Sequence, residues 1–147
     1  MSNNFILAIG DRNSETLRTI TEAFKIHSWA TFHEVGEGGK EATDMYIKNG
    51  KNYALVVMAG GFAWEFQDNP QNYRCPIQSM VLTSYMQMWY KTEECKQPEV
   101  IIYEPNADTQ KLMREMAEGQ KWTWLTFVSN EDELHAALDD WWNSKIN

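Results

Sequence analysis

The architecture of this chain can be read most directly from the segment Asn52-Tyr-Ala-Leu-Val-Val-Met-Ala-Gly-Gly-Phe-Ala-Trp-Glu-Phe66. Its apolar run stops at a glycine pair, which is typical of a strand that is buried on both faces and leads into a tight loop. In open α/β folds, ligands bind at such strand ends. The glycines remove side chains where a ligand can approach the backbone, and the aromatic residues behind them are a candidate cover. The segment therefore predicts a ligand site at Gly60 and Gly61.

The composition is that of one globular domain, which we place over residues 1–147 as a single α/β unit. The formal net charge of -8 argues against nucleic acid or an anionic membrane surface as the main partner, because both carry charge of the same sign. The first ten residues lack a basic segment, and their apolar run is too short for a signal peptide or a membrane span. We therefore expect a cytoplasmic protein with reduced thiols.

Metal and partner signals are weak in this sequence. Cys75 and Cys95 lack CxxC spacing, and His27, His33 and His135 are scattered along the chain, so we expect no structural zinc site and no cofactor. The seven tryptophans are more typical of a core than of an interface. An exposed aromatic surface that binds a protein partner or a second copy of the chain is the alternative.

Apolar runs and amphipathic segments alternate along the whole chain. The predicted strands are Phe5–Ile9, Trp29–Val35, Tyr53–Met58, Glu99–Glu104 and Trp122–Val128. Helices are predicted after each strand, except that the segment from Phe62 to Cys75 reads as a long loop, a candidate lid, before the third helix. This alternation predicts a doubly wound, five-stranded parallel sheet of the Rossmann or flavodoxin-like kind, in the order 2-1-3-4-5, with helices on both faces.

The spacing of apolar residues also predicts which helix faces lie inward. The predicted inward residues are Leu17, Ile20, Ala23 and Phe24 in the first helix; Ile77, Met80, Val81, Ser84 and Met88 in the third; Leu112, Met113 and Met116 in the fourth; and Leu134, Ala137, Leu138 and Trp141 in the last. Gly119 is predicted to end the fourth helix, and Ser129 with Asp132 to form a capping box for the last.

With right-handed crossovers, the loops after the first and third strands meet at the switch point of the sheet. Helix N-termini there favour a phosphate or a carboxylate. The candidate ligand- and phosphate-binding residues are Gly10, Arg12, Asn13, Ser14, Gly60 and Gly61. Glycines that merely allow tight turns, and a Ser14 that merely caps its helix, are the alternatives.

Asp11 and Glu65 are the candidate catalytic acids. Asp11 either orients a ribose hydroxyl or receives a proton, or it is an ordinary turn residue. Glu65, between two aromatic residues, either lies in a desolvated pocket or points to water. Phe62 or Trp64 would stack on a base. Weaker candidates are Glu34, Glu37 and His33.

The predicted order of strands and helices resembles that of a phosphorelay receiver domain. That family has a phosphoacceptor aspartate at the end of its third strand, where this chain has Met58-Ala59. The lysine that the family has after its fifth strand is missing, since Val128-Ser129-Asn130 stands there. The resemblance therefore implies at most a pseudo-receiver without aspartyl-phosphate chemistry.

A second resemblance is to the nucleotide-binding SLOG superfamily, which includes the LONELY GUY or lysine decarboxylase-like nucleotide phosphoribohydrolases. The segments that carry it are Ala54-Leu-Val-Val-Met-Ala-Gly-Gly-Phe-Ala63, which is similar to a strand ending in Pro-Gly-Gly-x-Gly-Thr, with Gly36-Glu-Gly-Gly39, Ser79–Tyr90 and Gln97–Ile102. Ala59 stands in place of the proline, Glu65 lies two places closer to the glycines than the family's catalytic glutamate, and the segment with the catalytic arginine is absent. The resemblance thus implies nucleotide binding more than catalysis.

Two functions of different kinds follow from the sequence. The first is a small cytoplasmic protein that binds a nucleotide or a phosphorylated nucleoside between the first and third strands, with hydrolysis of an N-glycosidic bond as its candidate reaction. The alternative is a catalytically silent, receiver-like interaction module that binds a protein through exposed aromatics such as Trp141 and Trp142. A flavin site is a weaker option.

Overall fold

A computed structural model describes residues 5–27, 32–36, 39–48, 53–66, 69–75, 77–93 and 97–146 of the chain. The strands in these ranges are β1 (Phe5–Ile9), β2 (His33–Val35), β3 (Tyr53–Ala59), β4 (Phe62–Phe66), β5 (Asn69–Cys75), β6 (Glu99–Tyr103) and β7 (Leu125–Val128). The helices are α1 (Glu15–Ile26), α2 (Gly39–Lys48), α3 (Gln78–Glu93), α4 (Ala107–Gln120) and α5 (Glu131–Ile146).

The main sheet has five parallel strands in the order β2-β1-β3-β6-β7. This is the predicted doubly wound α/β fold with the order 2-1-3-4-5, and the prediction is confirmed. Ile9 at the end of β1 lies opposite Met58 of β3 on one side and Val35 of β2 on the other. The carboxyl ends of these three strands therefore meet at one edge of the sheet.

The sheet is buried on both faces, as its continuous apolar runs predict. Every residue of β3 is buried, because alternate side chains enter two different cores. Leu7, Val56 and Met58 belong to the core under α2, α3 and α4. Leu55 and Val57 belong to the core under α1 and α5.

The segment from Phe62 to Cys75 contains a hairpin, so the prediction of an irregular loop was wrong. Strands β4 and β5 pair antiparallel, with Phe62 opposite Cys75 and Trp64 opposite Tyr73. The physical reason is the alternation of aromatic residues at positions 62, 64 and 66, which is a period-two strand pattern. The polar residues that follow lack this alternation, so the strand pattern was overlooked in the sequence.

The inward faces of α1 and α5 agree with the prediction, whereas those of α3 and α4 do not. In α3, Val81 is 38% exposed and Met88 50% exposed, and Ser79 and Thr83 are buried instead. Their hydroxyl groups have partners inside the core: Thr83 Oγ1 donates to the Ser79 carbonyl oxygen at 2.8 Å, and Ser79 Oγ contacts the sulfur of Met113 at 3.5 Å. A buried hydroxyl with a partner costs little, so Ser79 and Thr83 can face the core in place of the predicted residues.

In α4 the same kind of error concerns Leu112 and Met116, which are 48% and 37% exposed. Gln110 takes an inward place, because its side-chain amide donates to the Glu104 carbonyl oxygen at 3.0 Å and to Ser129 Oγ at 2.9 Å. Met113 is fully buried, as predicted.

Several element ends differ from the predicted ones. The last strand begins at Leu125 rather than Trp122, and β2 is described only from His33, with positions 29–31 outside the described residues. Gly119 does not end α4: the helix continues to Gln120, and Lys121 takes the left-handed conformation with a φ of 58°.

The cap of α5 lies one residue later than predicted. Asn130 Oδ1 accepts from the Glu133 amide at 2.9 Å, and the Glu133 carboxylate accepts from the Ser129 amide at 2.9 Å. Asn130 and Glu133 therefore form a capping-box-like pair in place of Ser129 and Asp132. Asparagine caps as well as serine does, so the spacing fits both registers.

Candidate functional site

The first strand-to-helix loop is tied to the end of β2. The Gly10 amide donates to the Val35 carbonyl oxygen at 3.0 Å, and the Arg12 amide donates to the Gly36 carbonyl oxygen at 2.6 Å. Asn13 has a φ of 64°, in the left-handed region that asparagine tolerates better than most residues. These bonds fix the loop at the carboxyl edge, beside the end of β3, as its sequence position predicts.

Two of the predicted site residues have local structural roles in this loop. Ser14 Oγ accepts from the Leu17 amide at 3.1 Å, so Ser14 is the N-cap of α1. The Asp11 carbonyl oxygen accepts from the Ser14 amide at 3.0 Å, which makes Asp11 the first residue of a turn. A role of the Asp11 carboxylate in catalysis stays a prediction.

Gly10 is required by packing. A Cβ at this position would lie 2.9 Å from Cβ of Leu17, closer than side-chain carbons approach one another. Leu17 is buried and is fixed to the backbone of α1. The glycine therefore lets α1 begin close against β1.

Gly60 is packed against a carboxylate of the protein itself. A Cβ at Gly60 would collide with Glu104, which follows β6, and Glu104 Oε2 accepts from the Asn106 amide at 3.0 Å. The Gly60 carbonyl oxygen accepts from the Ser79 amide at 3.0 Å. A negative charge at this glycine opposes the binding of a phosphate there.

Glu104 is the residue that the sequence analysis missed, since it was read only as the end of a strand. The signal was an acid at the carboxyl end of the strand next to β3, beside a glycine. The contact between Glu104 and Gly60 depends on the register of β3 and β6, which are distant in sequence. In this register Met58 lies opposite Ile102.

One member of the predicted aromatic cover, Phe62, does not face a ligand site. Phe62 is fully buried in the core under α2, α3 and α4, so its ring has no face open to a ligand. We therefore withdraw Phe62 as a base-stacking residue. The side chains of Trp64 and Glu65 lie outside the described part of the chain, as does Glu37, so their predicted roles stay predictions. Gly61 is half-buried between β3 and β4.

Two adjoining clefts lie beside the first loop, on the side of α1 and β2. One, of about 420 Å³, is lined by Asn13, Ser14, Leu17, Arg18, Thr21 and Glu34. The other, of about 320 Å³, is lined by Arg12, Asn13, Leu17, Glu34, Gly36 and Glu41. Three residues line both, so the clefts share a wall.

The polar groups of these clefts have complementary chemistry. Arg12, Arg18 and Glu34 are exposed. A guanidinium group binds phosphate oxygens through paired hydrogen bonds, and a carboxylate accepts hydrogen bonds from neighbouring hydroxyl groups. An acid near the end of the second strand is also where dinucleotide-binding folds contact the ribose. Glu34 was a weaker candidate in the sequence because nothing near it in the chain indicates that the first loop lies beside it.

Other surfaces of the described residues fit an anion less well. A cleft of about 540 Å³ between β7 and α5 includes Glu99, Glu133 and Asp140, and no lysine or arginine is among the described residues that line it.

Tyr103, the last residue of β6, has a shifted pKa. Burial raises the pKa of its hydroxyl group, and the carboxylates of Glu131 and Glu15 raise it further.

Among the residues that the structure describes, the exposed aromatic side chains are not the predicted ones. Trp141 is only 4% exposed and Trp142 packs against the same core, so the prediction of a docking surface at Trp141 was wrong. Tyr85 and Met88 of α3 are 41% and 50% exposed, and with Trp89 they line a groove of about 310 Å³ against α2. Binding of a protein partner stays a prediction.

None of the described helices is long and apolar enough to cross a membrane. Among the described residues, no group of three or more histidine, cysteine, aspartate or glutamate side chains is arranged to hold a metal ion. In comparisons with known proteins, no family model matches the chain, and no curated protein or solved structure matches it significantly. The class of the protein, a doubly wound α/β domain, therefore rests on its own sheet order.

Proposed function

We propose that this protein binds a nucleotide or a phosphorylated nucleoside in the two adjoining clefts beside the β1–α1 loop. The observation that carries the proposal is that Glu34 lines both clefts, with Arg12 in one and Arg18 in the other. This combination offers a hydroxyl acceptor and two phosphate-binding cations at the carboxyl edge of the sheet, where α/β folds bind ligands.

Size and position also support it. Cavities of about 300 to 1,000 Å³ are typical for small-molecule ligands, and the two clefts have volumes of about 420 and 320 Å³. The clefts adjoin the first turn of α1, whose N-terminal amides favour a negative charge. Glu15 in that turn opposes it, so the arginines have to supply most of the attraction.

The proposed site is shifted from the glycine pair of the sequence hypothesis towards β2. Glu104 is the charged group beside Gly60 and disfavours a phosphate there, whereas the cleft beside Arg12 offers a guanidinium group together with the carboxylates of Glu34 and Glu41. The proposal concerns binding alone. Hydrolysis of an N-glycosidic bond would need a positioned acid, and the side chain first assigned to it, Glu65, lies outside the described residues.

Isothermal titration tests the proposal, with purine and pyrimidine mononucleotides, the matching nucleosides and inorganic phosphate as ligands. Glu34→Gln should weaken mononucleotide binding about 10-fold or more, since a hydrogen bond to a charged group contributes about 1.5 to 3 kcal/mol. It should not weaken the binding of inorganic phosphate, whereas Arg12→Ala should weaken both.

Glu22→Gln is the matched control, because Glu22 is an exposed acid of α1 that does not line either cleft. It makes the same change of charge and should leave affinity within about twofold, the effect expected of a distant screened charge. Absence of heat with every nucleotide would overturn the proposal. Equal effects of Glu34→Gln and Glu22→Gln would overturn the assignment of Glu34.

A further inference from the structure

The fold brings together two histidines that are far apart in the sequence. His27 is the C-cap residue of α1, and His135 lies in the second turn of α5. Nε2 of His27 is 3.3 Å from Nδ1 of His135, and the ring centroids are 5.5 Å apart with planes inclined by 35°. On the other side of the His27 ring, Nδ1 is 3.3 Å from Oδ1 of Asp139.

We propose that His27 and His135 together bind a divalent transition-metal ion of the zinc, nickel or copper type. Metal–nitrogen bonds to imidazole are about 2.0 to 2.1 Å long. Two nitrogens 3.3 Å apart then subtend an angle of about 105° at a shared ion, close to the tetrahedral value. The separation of the two nitrogens therefore suits a common ion after a small turn of each ring.

Asp139 completes the arrangement as a positioning residue. A metal-binding histidine commonly donates its second ring N–H to a carboxylate, which fixes the tautomer and orients the lone pair. Here the Asp139 carboxylate lies beside Nδ1 of His27. It favours the tautomer with the proton on Nδ1, which leaves the lone pair of Nε2 towards His135. His135 and Asp139 are four residues apart on α5 and lie on the same side of the helix.

Protons balance without a further reactant. With His27 in this tautomer, Nδ1 of His135 is the donor and Nε2 of His27 the acceptor across the 3.3 Å between them in the metal-free protein. The ion takes the place of the hydrogen on Nδ1, and the proton of His135 moves from Nδ1 to Nε2 through water. Because the ion lies off the line between the nitrogens, each ring pivots about its Cβ–Cγ bond to point its lone pair at it.

The Asp139 side of the cluster reaches solvent. The side chain of His27 is 11% exposed and that of Asp139 is 59% exposed, so an ion and its remaining water ligands can enter past Asp139. Two imidazole nitrogens select borderline metals such as Zn²⁺, Ni²⁺ and Cu²⁺ over Mg²⁺ and Ca²⁺, which prefer oxygen ligands. Bound metal would link α1 to α5, independently of any nucleotide.

Thermal unfolding of the tag-free protein with Ni²⁺ or Zn²⁺ tests the proposal. An ion that binds the folded state alone should raise Tm by about 5 to 10 °C at 100 times Kd, and Mg²⁺ at the same concentration should not. His135→Ala should abolish the rise relative to its own metal-free Tm. Asp139→Asn should reduce it, and His33→Gln, which changes the third histidine, should leave it intact.

Calorimetric titration with Ni²⁺ provides a readout that does not depend on the stability of a variant. The expected result is one ion per chain, with at least a 10-fold loss of affinity in His135→Gln, which keeps a polar side chain at this position. A Ni²⁺ response that persists in His135→Ala and His135→Gln, or that Mg²⁺ reproduces, would overturn the proposal, as would no response to any of the ions.

Discussion

Because Gly60 lies against Glu104, we expect Gly60→Ala to destabilise the protein. The added Cβ would lie 3.1 Å from Cδ and 3.3 Å from Cβ of Glu104, and nearer still to Oε1. Because carbon atoms prefer separations of about 3.5 to 4.0 Å, Glu104 must move. Its hydrogen bond from the Asn106 amide, at 3.0 Å, is then weakened.

The expected cost is about 1 to 2 kcal/mol of unfolding free energy. Overpacking costs about 1 to 3 kcal/mol, and the lower part of this range applies because Glu104 is half-buried and its far end is flexible. A chain of this length should lose about 3 to 6 °C in Tm. Urea unfolding followed by tryptophan fluorescence measures the change directly.

A double-mutant cycle with Glu104→Ala isolates the contact. Glu104→Ala removes the two nearest atoms, so Gly60→Ala should then cost less than about 0.5 kcal/mol, which gives a coupling of roughly 1 kcal/mol. The same cost in both backgrounds, or no cost in either, would show that the Glu104 carboxylate does not limit the space beside Gly60.

Gly10→Ala is the matched control for that cycle. There the nearest atom is Cβ of Leu17, at 2.9 Å, and this atom is retained in Leu17→Ala. The cost of Gly10→Ala should therefore persist in the Leu17→Ala background. Relief of the clash by Leu17→Ala would show that side-chain ends, rather than the position of the α1 backbone, limit the space.

Three further predictions follow from the packing, the helix cap and the buried phenol. Met113→Ala should cost about 2 to 5 kcal/mol in urea unfolding, and its exposed neighbour Leu112→Ala below about 1 kcal/mol, because only Met113 leaves a cavity. Asn130→Ala should cost about 1 kcal/mol as the loss of the α5 cap, and Asp132→Asn only a few tenths, which thermal unfolding of the two variants compares. Burial, together with nearby carboxylates, raises the pKa of Tyr103, so the folded state holds this proton more tightly than the unfolded chain, whose tyrosine pKa is about 10. Its contribution to stability is therefore complete below about pH 10 and is lost as pH rises through the folded-state value, and Tyr103→Phe should make the decline of the urea midpoint shallower in that range.

The sheet could be predicted from the sequence because its signals are local. The run from Leu55 to Met58 is continuous and apolar, and such runs alternate with amphipathic helices whose order allows few topologies. Leu17 and Phe24 of α1 are buried as their spacing predicts. In α3, local pattern failed because Ser79 and Thr83 find partners within the core.

The site was less predictable because its contacts join distant parts of the chain. The space beside Gly60 is filled by Glu104. The ring nitrogen that lies next to Nε2 of His27 belongs to His135, in the last helix. Both contacts join residues that are far apart in the chain, so no sequence motif indicates them. Glu34 was visible as an acid, but its position beside the first loop follows from the parallel pairing of β2 with β1.

The proposed binding site can be located by ¹⁵N-correlated NMR during titration with adenosine and uridine monophosphates. The largest shifts are expected at the amides of Arg12, Asn13 and Glu34 and should become small in Glu34→Gln. Amides around Gly60 should move less, since Glu104 occupies that place. Shifts centred on Gly60 and Gly61, or no shifts with either nucleotide, would contradict the assignment of the clefts beside the β1–α1 loop.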